Sequence, residues 1–80
     1  MTNGDNMYEV TVEMRDEFTG KTVTRVIDGS NLMVHDGETS YMTHNPETQS
    51  QLLKKWIEER ANEQHETILS LVSWYTRAVS

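Results

Sequence analysis

Five carboxylates crowd the stretch from residue 9 to residue 28: Glu9, Glu13, Asp16, Glu17 and Asp28. Paired carboxylates can carry general acid–base chemistry, and with water they can hold Mg²⁺. No spacing here makes either chemistry specific, and 80 residues leave little room for an enclosing cleft. Carboxylates two residues apart on a strand lie roughly 6.5–7 Å apart, and Glu9 and Glu13 about twice that. Same-strand phosphates in DNA are spaced on that order. The row therefore suggests an acidic platform that meets a basic protein or mimics a phosphate backbone. Its simplest alternative is ordinary solvation of a sheet's open face. Phe18 sits beside Asp16 and Glu17 in a turn-forming stretch, an aromatic anchor within an acidic rim.

The other candidate groups are less pointed. His35, Asp36 and His44 could gather into a polar or metal cluster, but no fourth ligand is evident and the spacing is that of surface turn residues. His65 reads as a surface or interface residue. Trp56, Trp74 and Tyr75 are of the types found at binding hot spots, with core or interface packing as the default. There is no cysteine, so thiolate metal sites and disulfides are excluded. No glycine-rich phosphate loop, His-Glu-x-x-His or G-x-S-x-G occurs. The expectation is a non-enzyme with no catalytic residues, no metal and no cofactor.

Charge narrows the class of partner. The chain carries 13 acids and 7 bases, a net charge of −6. Residues 49–80 hold four of each, so the whole excess belongs to the first 48 residues. Such a surface attracts basic partners and repels phosphate and anionic lipid. Direct nucleic-acid binding is disfavoured, because it draws on Lys and Arg to neutralise phosphates. The first residues are polar, without the charged and apolar pattern of a signal peptide, and no apolar run approaches the ~20 residues of a bilayer span. A cytoplasmic, non-membrane protein is expected.

Residues 1–6 read as a disordered tail and residues 7–80 as a single domain. Tyr8, Val10, Val12 and Met14 alternate with Glu9, Thr11, Glu13 and Arg15, the pattern of a half-buried antiparallel strand. Gly20 suits a hairpin loop with a bulge, and residues 21–28 form the return strand, where Arg25 and Val26 break strict alternation. Asp36-Gly37 is the preferred pair of a two-residue hairpin between residues 31–35 and 39–43. Residues 7–44 thus predict an antiparallel β-meander of two hairpins and three or four strands, within an α+β fold. Asn45 can cap a helix that begins at Pro46, with Glu47 complementing its dipole.

The last third decides the architecture. Residues 47–80 contain neither Gly nor Pro. Ile57, Ala61, Gln64, Ile68, Leu71, Tyr75 and Ala78 recur in alternating steps of four and three, a heptad-like stripe. Ile68, Val72, Trp74, Tyr75 and Thr76 favour strand by propensity, but as a regular strand each face mixes apolar with Ser, Thr or Arg. Periodicity takes precedence, and the expectation is a long C-terminal amphipathic helix over residues 45–80. The alternative is ββαβ, with a final strand. A helix from 46 to 79 would be roughly 50 Å long against a globule about 30 Å across. The overhang predicts a homodimer, with Ile57, Ala61, Ile68, Leu71, Val72 and Tyr75 at the interface.

Taken whole, the shortness, the lack of cysteine, the acidic hairpin of residues 8–28 and the C-terminal helical segment resemble the small early proteins of bacteriophages. Proteins of that kind bind a host enzyme and disable or redirect it. The resemblance implies a host-takeover role in the host cytoplasm: a non-enzymatic inhibitor or adaptor of nucleic-acid machinery. The partner-binding residues expected from the acidic hairpin are Glu9, Glu13, Asp16, Glu17, Phe18 and Asp28. A structural or assembly subunit acting through its C-terminal helix is the alternative, and a small metal-dependent enzyme a distant third.

Overall fold

A computed structural model of the chain describes residues 8–65 and 67–79. The fold is α+β. Strands β1 (Tyr8–Asp16) and β2 (Thr22–Asp28) form the first hairpin. A 3₁₀ turn (Gly29–Leu32) leads to a second, small hairpin of β3 (Met33–Asp36) and β4 (Thr39–Met42). Then come helix α1 (Pro46–Trp56), a π-helical turn (Ile57–Ala61), α2 (Asn62–His65) and strand β5 (Leu69–Ala78). The tail expected over residues 1–6 lies outside the described residues. No helix among the described residues is long and apolar enough to cross a membrane.

The final strand corrects the long-helix expectation. Helix ends at His65, and β5 pairs antiparallel with β1, giving a three-stranded sheet in the order β2-β1-β5. Asn62 manages the change of state. Its side-chain oxygen accepts the backbone N–H of Leu69 at 2.7 Å, and its carbonyl that of Thr67 at 3.3 Å. The two hairpins expected before the helix are present, with four strands, but they do not form one meander. The two hairpins belong to separate sheets, and the second neighbour of β1 comes from the far end of the chain.

A β-bulge explains why β5 does not look like a strand. Glu13 is opposite Ser73, yet Met14 is opposite Leu71, so Val72 is an extra residue. The bulge resets the alternation. Leu69 and Leu71 face the helix before it, and Trp74 and Thr76 after it, aligned with Val12 and Val10. Strict period two would have scattered these residues over both faces.

Val10, Val12 and Met14 of β1 are fully buried beneath Leu53, Ile57 and Ala61 of the helical segment, with Leu32 and Leu69 closing the ends. On β2 the same face carries Val23, Arg25 and Ile27. The π turn is marked by the Asn62 N–H bonding to the Ile57 carbonyl. The helix start follows its sequence signal: Asn45 Oδ1 accepts the N–H groups of Glu47 and Thr48 at 2.9 and 3.2 Å, with Pro46 at the first helical position. Gln49 ties helix to sheet, donating to the Thr43 carbonyl at 2.8 Å and accepting the Trp74 indole N–H at 2.9 Å.

Both hairpin loops turn on a glycine. Gly20 has φ +75°, and Gly37 φ +64°. Asp36 pairs with Thr39, so the second loop is Gly37-Glu38, one residue later than the Asp36-Gly37 pair suggests. Gly29 is constrained by space instead. A Cβ there would lie 2.9 Å from both the Cβ and the carbonyl oxygen of Tyr8. The obstacle is partly backbone, so β1 must shift to admit it. Gly29→Ala is expected to destabilise by about 1–3 kcal/mol, read as a fall in thermal midpoint on the order of 4–8 °C per kcal/mol. An unchanged midpoint would contradict this close approach.

Candidate functional site

The helix covers one face of the three-stranded sheet and leaves the other open. Alternation along β1 puts Glu9, Thr11, Glu13 and Arg15 on that open face. The register adds their neighbours in rows: Asp28–Glu9–Arg77, Val26–Thr11–Tyr75, Thr24–Glu13–Ser73 and Thr22–Arg15–Ser70. The second of these rows carries no charge, with Val26 and Tyr75 on the outer strands flanking Thr11. Val26 is 58% exposed and Tyr75 61%.

Glu9 and Glu13, beside this row, are hydrogen-bonded across the β1–β5 seam. Arg77 Nη2 donates to Glu9 at 2.9 Å, and Ser73 Oγ to Glu13 at 2.8 Å. Ser70 Oγ donates to Glu17. Cross-strand pairs of this kind contribute roughly 0.2–1 kcal/mol each. With the two side chains 70% and 37% exposed, the Arg77–Glu9 pair belongs at the weak end of surface ion pairs. The consequence of these bonds is geometric: Glu9, Glu13 and Glu17 each face a donor on β5 while remaining open to solvent.

Two of the six expected partner-binding residues have structural duties. Asp16 Oδ1 accepts the N–H groups of Phe18 at 2.8 Å and Thr19 at 3.2 Å, and the hydroxyl of Thr67 at 3.1 Å. It fixes the hairpin loop and ties it to the connection before β5. Asp28 caps the 3₁₀ turn by accepting the Ser30 N–H at 3.3 Å. Glu9, Glu13 and Asp28 share the open face, while Asp16, Glu17 and Phe18 gather at the hairpin end. Phe18 is 74% exposed. Beside Glu9 and Asp28, which sit directly opposite each other, an open depression of about 290 Å³ reaches Tyr8, Val26, Ile27 and Val79.

The open face carries three carboxylates, Glu9, Glu13 and Asp28, and two guanidiniums, Arg15 and Arg77. It is a mixed surface, less acidic than the sequence of the hairpin suggests. Among the described residues, no group of three or more His, Asp or Glu side chains could hold a metal ion. His35 Nδ1 lies 2.7 Å from Ser40 Oγ across the second hairpin.

The expected interface residues do not form one surface. Ile57 and Ala61 are buried in the chain's own core, and Leu71 is packed against that core. Ile68, Val72 and Tyr75 are exposed, but they stand on or beside β5 rather than along a helix. The overhang that predicted a dimer disappears with the long helix, since the helical segment runs only from Pro46 to His65 and β5 follows.

Val26, Ser70, Ser73 and Arg77 were not among the expected site residues. Arg25 and Val26 carried a signal, because their break in alternation places a valine outward. The other three become visible only once β5 is aligned with β1. No protein-family model, curated protein or solved structure matches this chain.

Proposed function

We propose that this chain is a non-enzymatic protein-binding module whose open sheet face meets a basic partner, of the kind found in nucleic-acid machinery, and inhibits or redirects it. One observation carries the reading: Val26 and Tyr75 stand uncovered on either side of Thr11, in an uncharged row between rows whose Glu9 and Glu13 are hydrogen-bonded across the β1–β5 seam. Exposed apolar and aromatic side chains bordered by charged ones are common at protein interfaces. Pre-ordered side chains lower the entropic cost of association. The depression beside Glu9 and Asp28 places their carboxylates within reach of a Lys or Arg side chain of the partner. Phe18 extends the contact at the hairpin end. The mix of carboxylates and guanidiniums favours this contact over imitation of a continuous phosphate row, which would need unpaired acids throughout. Cytoplasmic action, including the host cytoplasm of a phage-encoded protein, belongs to the same proposal.

The test is capture from a bacterial lysate by immobilised chain, repeated with open-face variants. A partner held by the native chain is expected to be lost with Val26→Asp and weakened ~10-fold or more with Glu13→Lys and with raised salt. All these positions lie outside the core, so the fold measured by circular dichroism stays intact. Equal capture by native and Val26→Asp chains would overturn the reading.

A further inference from the structure

Strand β5 is at the edge of its sheet, and its outward backbone groups can be identified. The Glu17 N–H donates to the Ile68 carbonyl at 2.9 Å, so the odd-numbered residues of β1 bond toward β5. Their partners beyond the bulge are Ser73, Tyr75 and Arg77. By alternation, the amides of Trp74, Thr76 and Ala78 point the other way, off the edge. Proteins usually blunt such an edge with charges or proline. Here Leu69–Ala78 holds no proline and one charged residue, Arg77, which is tied back to Glu9. The bulge at Val72 interrupts the edge, leaving the run from Ser73 onward regular.

The occupant that suits this edge is a second copy of the chain. A molecule of net charge −6 must meet itself where it has no acids. Of the three strands in this sheet, β5 alone carries no carboxylate. An antiparallel pair centred on Thr76 is also self-complementary in its side chains. Thr76 meets its own mate, a favourable cross-strand pair. On the open face Tyr75 of each copy meets Arg77 of the other, aromatic ring against guanidinium. On the helix-facing side Trp74 meets Ala78, large against small.

We propose that the chain forms a twofold homodimer by β5–β5 pairing about Thr76, joining two three-stranded sheets into one of six strands with a continuous open face. The pairing rests on the backbone edge of β5 and holds whatever the open face binds, although Tyr75 belongs to both surfaces. The edge is short and the contact small, which places the dimer among weak, reversible associations.

Sedimentation velocity on the chain alone, from ~1 to ~500 μM, tests it. The native chain is expected to pass from 9.3 kDa to twice that mass as concentration rises. Thr76→Pro removes an outward N–H while leaving the pairing with β1, as proline does on edge strands, and is expected to abolish the dimer. Tyr75→Arg sets guanidinium against guanidinium and weakens association ~10-fold or more; adding Arg77→Tyr restores it by exchanging the pair. The exchange decides the matter even if the proline variant folds poorly. A single 9.3 kDa species throughout, or a dimer indifferent to both Thr76→Pro and Tyr75→Arg, overturns the proposal. So does an edge protected from amide exchange only when a different protein is added.

Discussion

Leu53→Ala is expected to remove about 2–5 kcal/mol of stability. Leu53 is fully buried where α1 crosses the middle of the sheet, in the same cluster as Val10, Val12 and Met14. Truncation loses the transfer free energy of the removed atoms and leaves a cavity that a close-packed site refills only in part. The effect is large against the whole. An 80-residue chain has a stability on the order of 4–12 kcal/mol. Urea denaturation should show a lowered midpoint at an unchanged slope, because the surface exposed on unfolding is nearly the same. Its neighbour Leu52 is only half-buried and should cost distinctly less when truncated. Equal losses at the two positions would mean that α1 is rotated from the orientation described.

Much of this fold could be read from residues whose signals are local. The alternation from Tyr8 to Met14 marks β1 because one side faces a helix and the other faces water. Asn45, Pro46 and Glu47 mark the helix start because capping involves only adjacent residues. What could not be read depends on pairing between distant segments. β5 was obscured by a single residue, Val72, which displaces the alternation by one step. Helical phase competes with the strand pattern, since Ile68, Leu71, Tyr75 and Ala78 also satisfy a heptad. The candidate site divides the same way. Its acids were visible on the hairpin, but Arg77, Ser73 and Ser70 lie 68, 60 and 53 residues from the carboxylates they hold. The near balance of charge on the open face follows from these distant partners and from the register.

Of the three strands of this sheet, β1 is the most constrained. It lies between two partners and supplies Val10, Val12 and Met14 to the core, whereas β2 and β5 each have one free edge. The open-face residues of β1 are thus the most firmly placed on the molecule. Under the proposed function, partner contacts at Glu9 and Glu13 would gain a rigid base, and contacts at Phe18 would depend on the loop that Asp16 holds.

That asymmetry leads to the other prediction of large effect, a pair of single-residue deletions. Removing Thr11 from β1 shifts one end of the strand by one step relative to the rest. Either Val10 turns outward and Glu9 inward, or the segment after Thr11 slips, exposing Val12 and Met14. Both outcomes set a carboxylate or a gap against Leu53 and Ile57, and the expected result is a chain unfolded at room temperature. Removing Val72 from β5 should do the opposite. Leu71 and Ser73 become adjacent, as their partners Met14 and Glu13 already are. Leu69 and Leu71 keep facing the helix, Trp74 keeps its bond to Gln49, and Arg77 its bond to Glu9. Only the local twist changes, so the loss should stay within about 1 kcal/mol, the range of a surface substitution of moderate effect. Circular dichroism and thermal melting of the two deletions side by side provide the measurement. Val72 removal that unfolds the chain as completely as Thr11 removal would mean that the bulge is required for closing β5 onto the helix, rather than an extra residue accommodated by it.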